Sequence, residues 1–218
     1  MTEIKLKTVS VVDALSRAIA DSIFNLEYGP GQQITEAELA SRFNVSRNTV
    51  REATASLISC GLLEKEANKG LFVKAITESD VRDIFHFRGL LESEAMRIII
   101  QNGRVIPDAL RSSVENIEMD PRVQTNWYHY VSADLNFHYD LVKASGSARL
   151  IRLYDTIRQE IMLCLCQSKN VLIVNPKNIY EHRHFLDVLE TGSEAECVAL
   201  IMNHITYGVE NVARGFHN

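Results

Sequence analysis

One aspartate and three histidines have the types and the spacing of a metal site. Asp134 and His138 are four residues apart in a stretch with helical periodicity, so their side chains share one helix face. His182 and His204 each lie on a later apolar stripe of helical spacing. Helical bundles build metal sites from side chains on facing helices. The spacing therefore predicts that the four side chains meet in one bundle interior.

The donor atoms of this set would be one carboxylate oxygen and three imidazole nitrogens, without a thiolate. Such donors suit zinc, nickel or manganese, and the general availability of zinc makes zinc the first choice. His184 is two residues from His182 and lies on another face, so it is predicted to take no part. A single buried histidine is more often a hydrogen-bonded core residue than a ligand. Burying one carboxylate and three imidazoles without a metal would nevertheless be costly.

A second group of residues has the pattern of a nucleic-acid reader. Thr35 and Ser46 are suited to cap helices, and the residues that follow them predict two short helices joined by a tight turn. Arg47 and Arg51 share one face near the start of the second helix. Their planar guanidinium groups suit guanine or phosphate. This is the layout of a helix-turn-helix, whose second helix enters the major groove of DNA.

Further DNA contacts are predicted beside these arginines. Asn48 and Thr49 are placed to reach base edges or phosphates from the same end of the helix. Two strand-like runs then flank a turn at residues 67–70, which predicts a hairpin. Its tip would place Lys69 and Gly70 on phosphates or in the minor groove. Three helices and this hairpin predict a winged helix-turn-helix.

The composition limits the classes of protein to which the chain can belong. The 218 residues suit one large domain or two smaller ones, and 46% hydrophobic residues suffice for a packed core. No stretch approaches the roughly 20 apolar residues of a membrane span, and the N-terminus lacks the apolar segment of a signal peptide. The four cysteines fit neither a zinc ribbon nor a dense disulfide framework. We therefore expect a cytoplasmic protein without a membrane partner.

The net charge of −5 is unevenly distributed along the chain. Residues 1–75 hold nine Lys/Arg and nine Asp/Glu, so residues 76–218 carry the whole deficit. We expect a DNA-binding domain over residues 1–75 and a metal-binding, effector-binding and dimerisation domain over residues 76–218. A neutral DNA-binding domain binds DNA modestly, which favours a dimer.

The second domain is predicted to be an all-helical antiparallel bundle, which makes the chain mainly α. Turn and capping residues divide it into six helices. Their approximate ranges are 78–101, 107–120, 124–145, 149–167, 177–189 and 194–213.

Residues 9–74 resemble the N-terminal signature of GntR-type bacterial regulators. The resemblance rests on Pro30-Gly31, Leu39-Ala40, Val45-Ser46-Arg47, Val50-Arg51-Glu52-Ala53, Gly61-Leu62 and Asn68-Lys69-Gly70. It implies that Arg47 and Arg51 contact bases or phosphates and that Gly70 belongs to the wing tip.

Residues 78–214 resemble the FCD effector domain of the FadR subfamily of GntR proteins. The likeness rests on residues 134–138, 181–183 and 204–205. Six helices favour the shorter, VanR-like type. The resemblance implies that the Asp and three His hold a divalent metal whose coordination a carboxylate effector completes. It also implies that Arg88 faces the effector cavity and clamps a carboxylate. The alternative is an intrahelical pair between Arg88 and Glu92.

Taken together, these patterns predict a bacterial transcriptional regulator and not an enzyme. A homodimer would bind a near-palindromic operator, and a small organic acid at the metal would control its operator affinity, most commonly as a repressor. One alternative is a DNA-binding regulator with a purely structural metal and no effector. Another is a metallohydrolase, although no recognisable motif supplies a catalytic base and the helix-turn-helix would have no role.

Overall fold

The computed structural model describes residues 10–168 and 176–216, without the side chains of Gln124 and of residues 176–180. Within these ranges the chain forms ten helices and a three-stranded sheet. It divides into two compact units, which adjoin in sequence between Ala75 and Ile76. The predicted fold class, a winged helix-turn-helix followed by a helical domain, is confirmed. None of the helices in the described ranges has the length and apolar composition needed to cross a membrane.

The first unit consists of three helices and a small antiparallel sheet. Its elements are α1 (Val11–Phe24), β1 (Gln33–Ile34), α2 (Glu36–Phe43), α3 (Arg47–Ser59), β2 (Leu63–Glu66) and β3 (Gly70–Val73). The strand order is β1-β3-β2, and β2 and β3 form the predicted hairpin. The sequence pattern does not predict β1, because two residues are too few to show an alternation.

Local capping fixes the turn between α2 and α3. The hydroxyl groups of Thr35 and Ser46 each accept a hydrogen bond, of 3.1 Å, from the backbone N–H three residues later. Asn44 ends α2 in the left-handed conformation, with φ 52°. Leu39 of α2 and Val50 of α3 are fully buried. The apolar side of α3 therefore faces the core of the unit, and its first turn lies at the surface.

The second unit is entirely helical within the described ranges. Its elements are α4 (Glu78–Gln101), α5 (Asp108–Met119), α6 (Pro121–Thr125), α7 (Trp127–Ala144), α8 (Ala148–Gln167), α9 (Pro176–Thr191) and α10 (Glu194–Arg214). The prediction of six helices is wrong by one, because α6 is a separate short helix, and the helix count therefore does not favour the shorter, VanR-like type. The Asp120 carboxylate accepts a hydrogen bond from the N–H of Arg122, with Pro121 in the first turn. Asn126 then caps α7.

Helix α4 is central to the second unit, where it packs against α7, α8 and α10. It starts at a capping box formed by Thr77 and Asp80. Its buried side includes Val81, Met96 and Ile99, and this side also carries the two charged residues Arg88 and Glu92.

Arg104 fixes the C-terminal end of α9, the helix that carries His182. Its backbone is in the left-handed region, with φ 61°. One terminal nitrogen donates a hydrogen bond to the carbonyl of Gly192 at 2.5 Å, and the other donates to the carbonyl of Leu189. A guanidinium at this position satisfies carbonyls that a helix end leaves without partners, and it complements the negative end of the helix dipole.

Candidate functional site

Four residues predicted as metal ligands lie together inside the second unit. Asp134 and His138 come from α7, His182 from α9 and His204 from α10. One donor atom from each of them lies within 4.8 Å of the others. The first three residues are buried, and the His204 side chain is 16% exposed. His184, which the sequence pattern excludes, is exposed and lies outside the cluster.

Distances within the cluster suit a set of ligands around one cation. Nε2 of His182 lies 3.1 Å from Oδ1 of Asp134, and Nε2 of His138 lies 3.8 Å from the same oxygen. His138 Nε2 is buried and has no hydrogen-bond partner among the described residues. Buried polar atoms are nearly always satisfied. A bare imidazole nitrogen beside a carboxylate and two further imidazoles is therefore an arrangement that a divalent cation would complete.

A second layer of residues surrounds these ligands. Glu92 is fully buried and accepts hydrogen bonds from three side chains: Arg88 Nε at 2.8 Å, Tyr154 Oη at 2.8 Å and His138 Nδ1 at 2.7 Å. Glu181 lies at the rim, 3.1 Å from His204 Nδ1.

Sequence reasoning misses the roles of this second layer. It treats Glu92 only as a helical partner of Arg88, and it assigns no role to Tyr154 or Glu181. The one available signal is the position of Glu92 one turn after Arg88, among the apolar residues of α4. For Tyr154 we find no signal in the sequence.

The electrostatics of the cluster favour the protonation states that bind a metal. Burial alone would raise the pKa of Glu92, but His138 and Arg88 lower it to about 2. Burial would also raise the pKa of Asp134, which His138, His182 and Arg88 bring well below its usual range. Burial and the nearby Arg88 lower the pKa of His138 to about 4. At neutral pH the site therefore holds ionised carboxylates and a neutral His138, as metal coordination requires.

Arg88 makes the intrahelical pair considered from the sequence and also lines a cavity, while its clamping of a carboxylate stays a prediction. It makes the intrahelical bond to Glu92, but the pair is buried rather than solvated. Within the described part of the chain its Nη2 has no hydrogen-bond partner, and it lies 3.7 Å from Asp134 Oδ2. Arg88 also lines a cavity of about 70 Å³, together with Asp134 and His204. That volume is several times what one water molecule needs. The other lining residues include Phe85, Trp127, Tyr130, Val131, Leu165 and Ile205.

In the first unit, the predicted DNA-contacting residues lie at the start of α3 and at the tip of the hairpin. Arg47, Asn48 and Arg51 are exposed. Thr49 is half-buried, and its hydroxyl is 2.8 Å from that of the capping Ser46.

At the hairpin, the residues of the tip have the backbone of a tight turn. Asn68 and Gly70 both have positive φ, 62° and 117°. Gln33 donates a hydrogen bond of 2.6 Å to the carbonyl of Lys69 and so ties the tip to β1. The Lys69 side chain is 70% exposed.

Two of these cations are paired with carboxylates of their own unit. Arg51 Nε lies 2.8 Å from Oε2 of Glu36, and Lys69 Nζ lies 2.6 Å from Oε2 of Glu66. Glu66 raises the pKa of Lys69. The hydrogen bond to Glu36 uses Nε of Arg51.

Comparison with known families identifies both units. Residues 10–73 match the family described as bacterial regulatory proteins, gntR family, and residues 83–207 match the FCD domain. The chain belongs to the GntR family. The match to the FCD domain covers all four clustered residues and Arg88.

Relatives of this GntR-family protein are transcriptional regulators. The Nta operon transcriptional regulator of Aminobacter aminovorans is 28% identical over 186 residues, which cover 82% of this chain and 83% of that protein. The "Probable D-xylose utilization operon transcriptional repressor" of Paenarthrobacter nicotinovorans is 27% identical over 180 residues, covering 80% and 76%. A GntR regulator structure from Rhodococcus sp. RHA1 matches with a TM-score of 0.80 and 22% identity, covering 94% of this chain and 98% of that one. That structural likeness shows the fold.

These findings make the GntR-family protein a bacterial DNA-binding transcriptional regulator, and they confirm the expectation that it is not an enzyme. The exposed start of α3 is the part of the first unit that suits the major groove.

We predict that the metal-free His138→Gln variant loses less stability on acidification than the metal-free wild type does. The pKa of His138 is about 4 in the folded protein and near the ordinary 6.5 in an unfolded chain. The unfolded state therefore takes up the proton first, and wild-type stability falls as the pH falls from about 6.5 to about 4, by roughly 3 kcal/mol for this group.

The matched control is His184→Gln, the same change at an exposed histidine. It is expected to retain the wild-type dependence on pH. Chemical denaturation in the presence of a chelator, repeated across this pH range, measures the free energy of unfolding. An unchanged pH dependence in the His138 variant would contradict the burial-induced lowering of its pKa.

Proposed function

We propose that this GntR-family protein is a cytoplasmic, metal-dependent repressor whose operator affinity responds to a small organic acid. The observation that carries the proposal is the cluster of one carboxylate and three imidazoles, whose donor atoms lie within 4.8 Å of one another. One of these donors, a buried nitrogen of His138, has no partner in the ranges that the structure describes. The relative named as a repressor of D-xylose utilization supports repression as the mode.

The proposed cofactor is a divalent metal held by Asp134, His138, His182 and His204. These residues supply only nitrogen and oxygen donors, which suit zinc first and nickel or manganese as alternatives. The bound ion would supply positive charge at the wall of the cavity and an attachment point for an oxygen of the effector.

The proposed effector is a small organic acid in the cavity beside Arg88. The guanidinium is buried and pairs with Glu92 through Nε, whereas no described residue forms a hydrogen bond with its Nη2. A carboxylate in the cavity would give this nitrogen an acceptor. Apolar and aromatic side chains form much of the remaining wall, as is usual in sites that bind small molecules.

A homodimer is proposed as the DNA-binding form. Phe87 and Leu90 lie on one face of α4 and are about half exposed, whereas Gly89 faces Met202 of α10. An apolar stripe opposite the packed side of a helix suits isologous pairing with a second copy. A dimer would place one α3 helix from each copy against each half-site of a near-palindromic operator.

Replacing His182 with Gln is expected to remove most of the bound metal, because one of four ligands is lost. His184→Gln makes the same change two residues away at an exposed side chain and is expected to keep the metal content. Elemental analysis of purified, dialysed protein and native mass spectrometry measure the ion and any trapped acid. Equal metal loss in the two variants would show that the face of α9 was assigned wrongly.

Arg88→Lys is expected to weaken acid binding to the metal-loaded protein by about tenfold or more, because lysine keeps the charge but loses the planar fork. Calorimetry against a panel of small hydroxy, keto and dicarboxylic acids measures binding, and operator affinity is measured with and without each acid. If no acid binds wild-type protein and operator affinity never changes, the regulator has a structural metal and no effector.

Arg47→Ala and Arg51→Ala are each expected to weaken operator binding by about 1–3 kcal/mol if the lost contact is a bidentate one to a base. The operator is first selected from random duplexes with the wild-type protein, and gel-shift titration then gives the affinities. Arg97→Ala removes an arginine of the second unit and is the control, with affinity expected to stay at the wild-type value. Unchanged affinity in both α3 variants would contradict their assignment as DNA contacts.

A further inference from the structure

We propose that Glu92 is a positioning residue of the metal centre, which holds His138 in the tautomer that leaves Nε2 available to the ion. The inference rests on the proposed function, since it concerns how the protein prepares one ligand. It goes further by assigning a role to a residue outside the ligand set.

The contact between Glu92 and His138 determines where the imidazole proton lies. Oε2 of Glu92 is 2.7 Å from Nδ1 of His138, and both side chains are fully buried. A neutral imidazole carries one N–H, and an ionised carboxylate only accepts. A bare Nδ1 would set two lone pairs against each other without water to separate them. The proton therefore lies on Nδ1, and the lone pair lies on Nε2.

The position of Nε2 matches this assignment. It is buried, forms no hydrogen bond with any residue that the structure describes, and lies 3.8 Å from Oδ1 of Asp134. A carboxylate that fixes the far nitrogen of a metal-binding histidine orients the ring and strengthens the ligand.

The second oxygen of Glu92 is fixed independently of His138. Oε1 accepts from Arg88 Nε at 2.8 Å and from Tyr154 Oη at 2.8 Å. These donors come from α4 and α8, whereas His138 belongs to α7. The carboxylate is thus held from both sides and cannot rotate without breaking a buried bond.

His204 offers an internal comparison. Its Nδ1 lies 3.1 Å from Glu181, but the Glu181 side chain is 46% exposed. Water competes for a contact of this kind, so the exposed carboxylate contributes less to the orientation of its histidine. The two glutamates therefore form a matched pair, one buried and one exposed.

Glu92→Gln is the informative variant, because the surrounding donors determine how the amide sits. Arg88 and Tyr154 both donate towards the Oε1 position, so the amide oxygen is favoured there. The NH₂ group then faces His138 Nδ1 and donates to it. The imidazole proton must move to Nε2, where it blocks the metal. We expect zinc affinity to fall by roughly 10- to 100-fold.

Two measurements test the inference on the full-length protein. Long-range ¹H–¹⁵N NMR of the metal-free protein reports the tautomer of His138, with the proton on Nδ1 in wild type and on Nε2 in the Glu92→Gln variant. Competition between the protein and a chromophoric chelator for Zn²⁺ alone reports the affinity.

Two variants serve as controls for the affinity measurement. Tyr154→Phe removes a donor to Oε1 and leaves the bond to His138 in place, and Glu181→Gln changes the exposed carboxylate. Both are expected to lower zinc affinity less than Glu92→Gln does, because neither places a donor against Nδ1 of His138.

A proton on Nε2 of His138 in the metal-free wild type would overturn the inference. So would a Glu92→Gln variant that is folded by circular dichroism and binds zinc as tightly as wild type. If the variant does not fold, the tautomer in the wild-type protein decides. If the wild type binds neither zinc, nickel nor manganese, the proposed function fails, and the NMR measurement still decides whether Glu92 sets the tautomer.

Discussion

A charged carboxylate without access to water constrains the second unit. Glu92 is fully buried on α4, and the free energy of burying its charge is offset only by the donors around it. These donors come from Arg88 one turn earlier, from His138 on α7 and from Tyr154 on α8. Because each bond requires a separation close to 2.8 Å, the three helices have little freedom to shift relative to one another. Removing one donor would leave a buried charge incompletely compensated, which is far more costly than losing an exposed ion pair.

The candidate metal centre adjoins this network rather than standing apart from it. His138 contacts Glu92 through Nδ1 and faces Asp134 through Nε2. Arg88 likewise reaches from Glu92 to within 3.7 Å of Asp134. Two buried carboxylates thus share one buried arginine. These three groups together carry one net negative charge, which favours a cation among the ligands.

Much of this arrangement could be predicted from the sequence, and the remainder shows what a single sequence leaves out. Asp134 and His138 are predictable because four residues in a helix return to the same face. Helix α6 is absent from the prediction because Asp120 and Pro121 signal the end of one helix and the beginning of another equally well. The contact between Tyr154 and Glu92 joins residues 62 positions apart, and no periodicity encodes which two helix faces meet.

The ion pairs of the first unit have a consequence for the search along a genome. If Arg51 and Lys69 contact DNA as proposed, they must leave their ion pairs with Glu36 and Glu66 and bind groups on the duplex instead. A random sequence offers phosphates alone, so the exchange replaces one anionic partner by another and gains little. Base edges that match the arginine fork add contacts that the carboxylates cannot supply. Internal competitors of this kind subtract a similar free energy from both complexes, so the preference of a neutral domain for its cognate site comes from the base contacts.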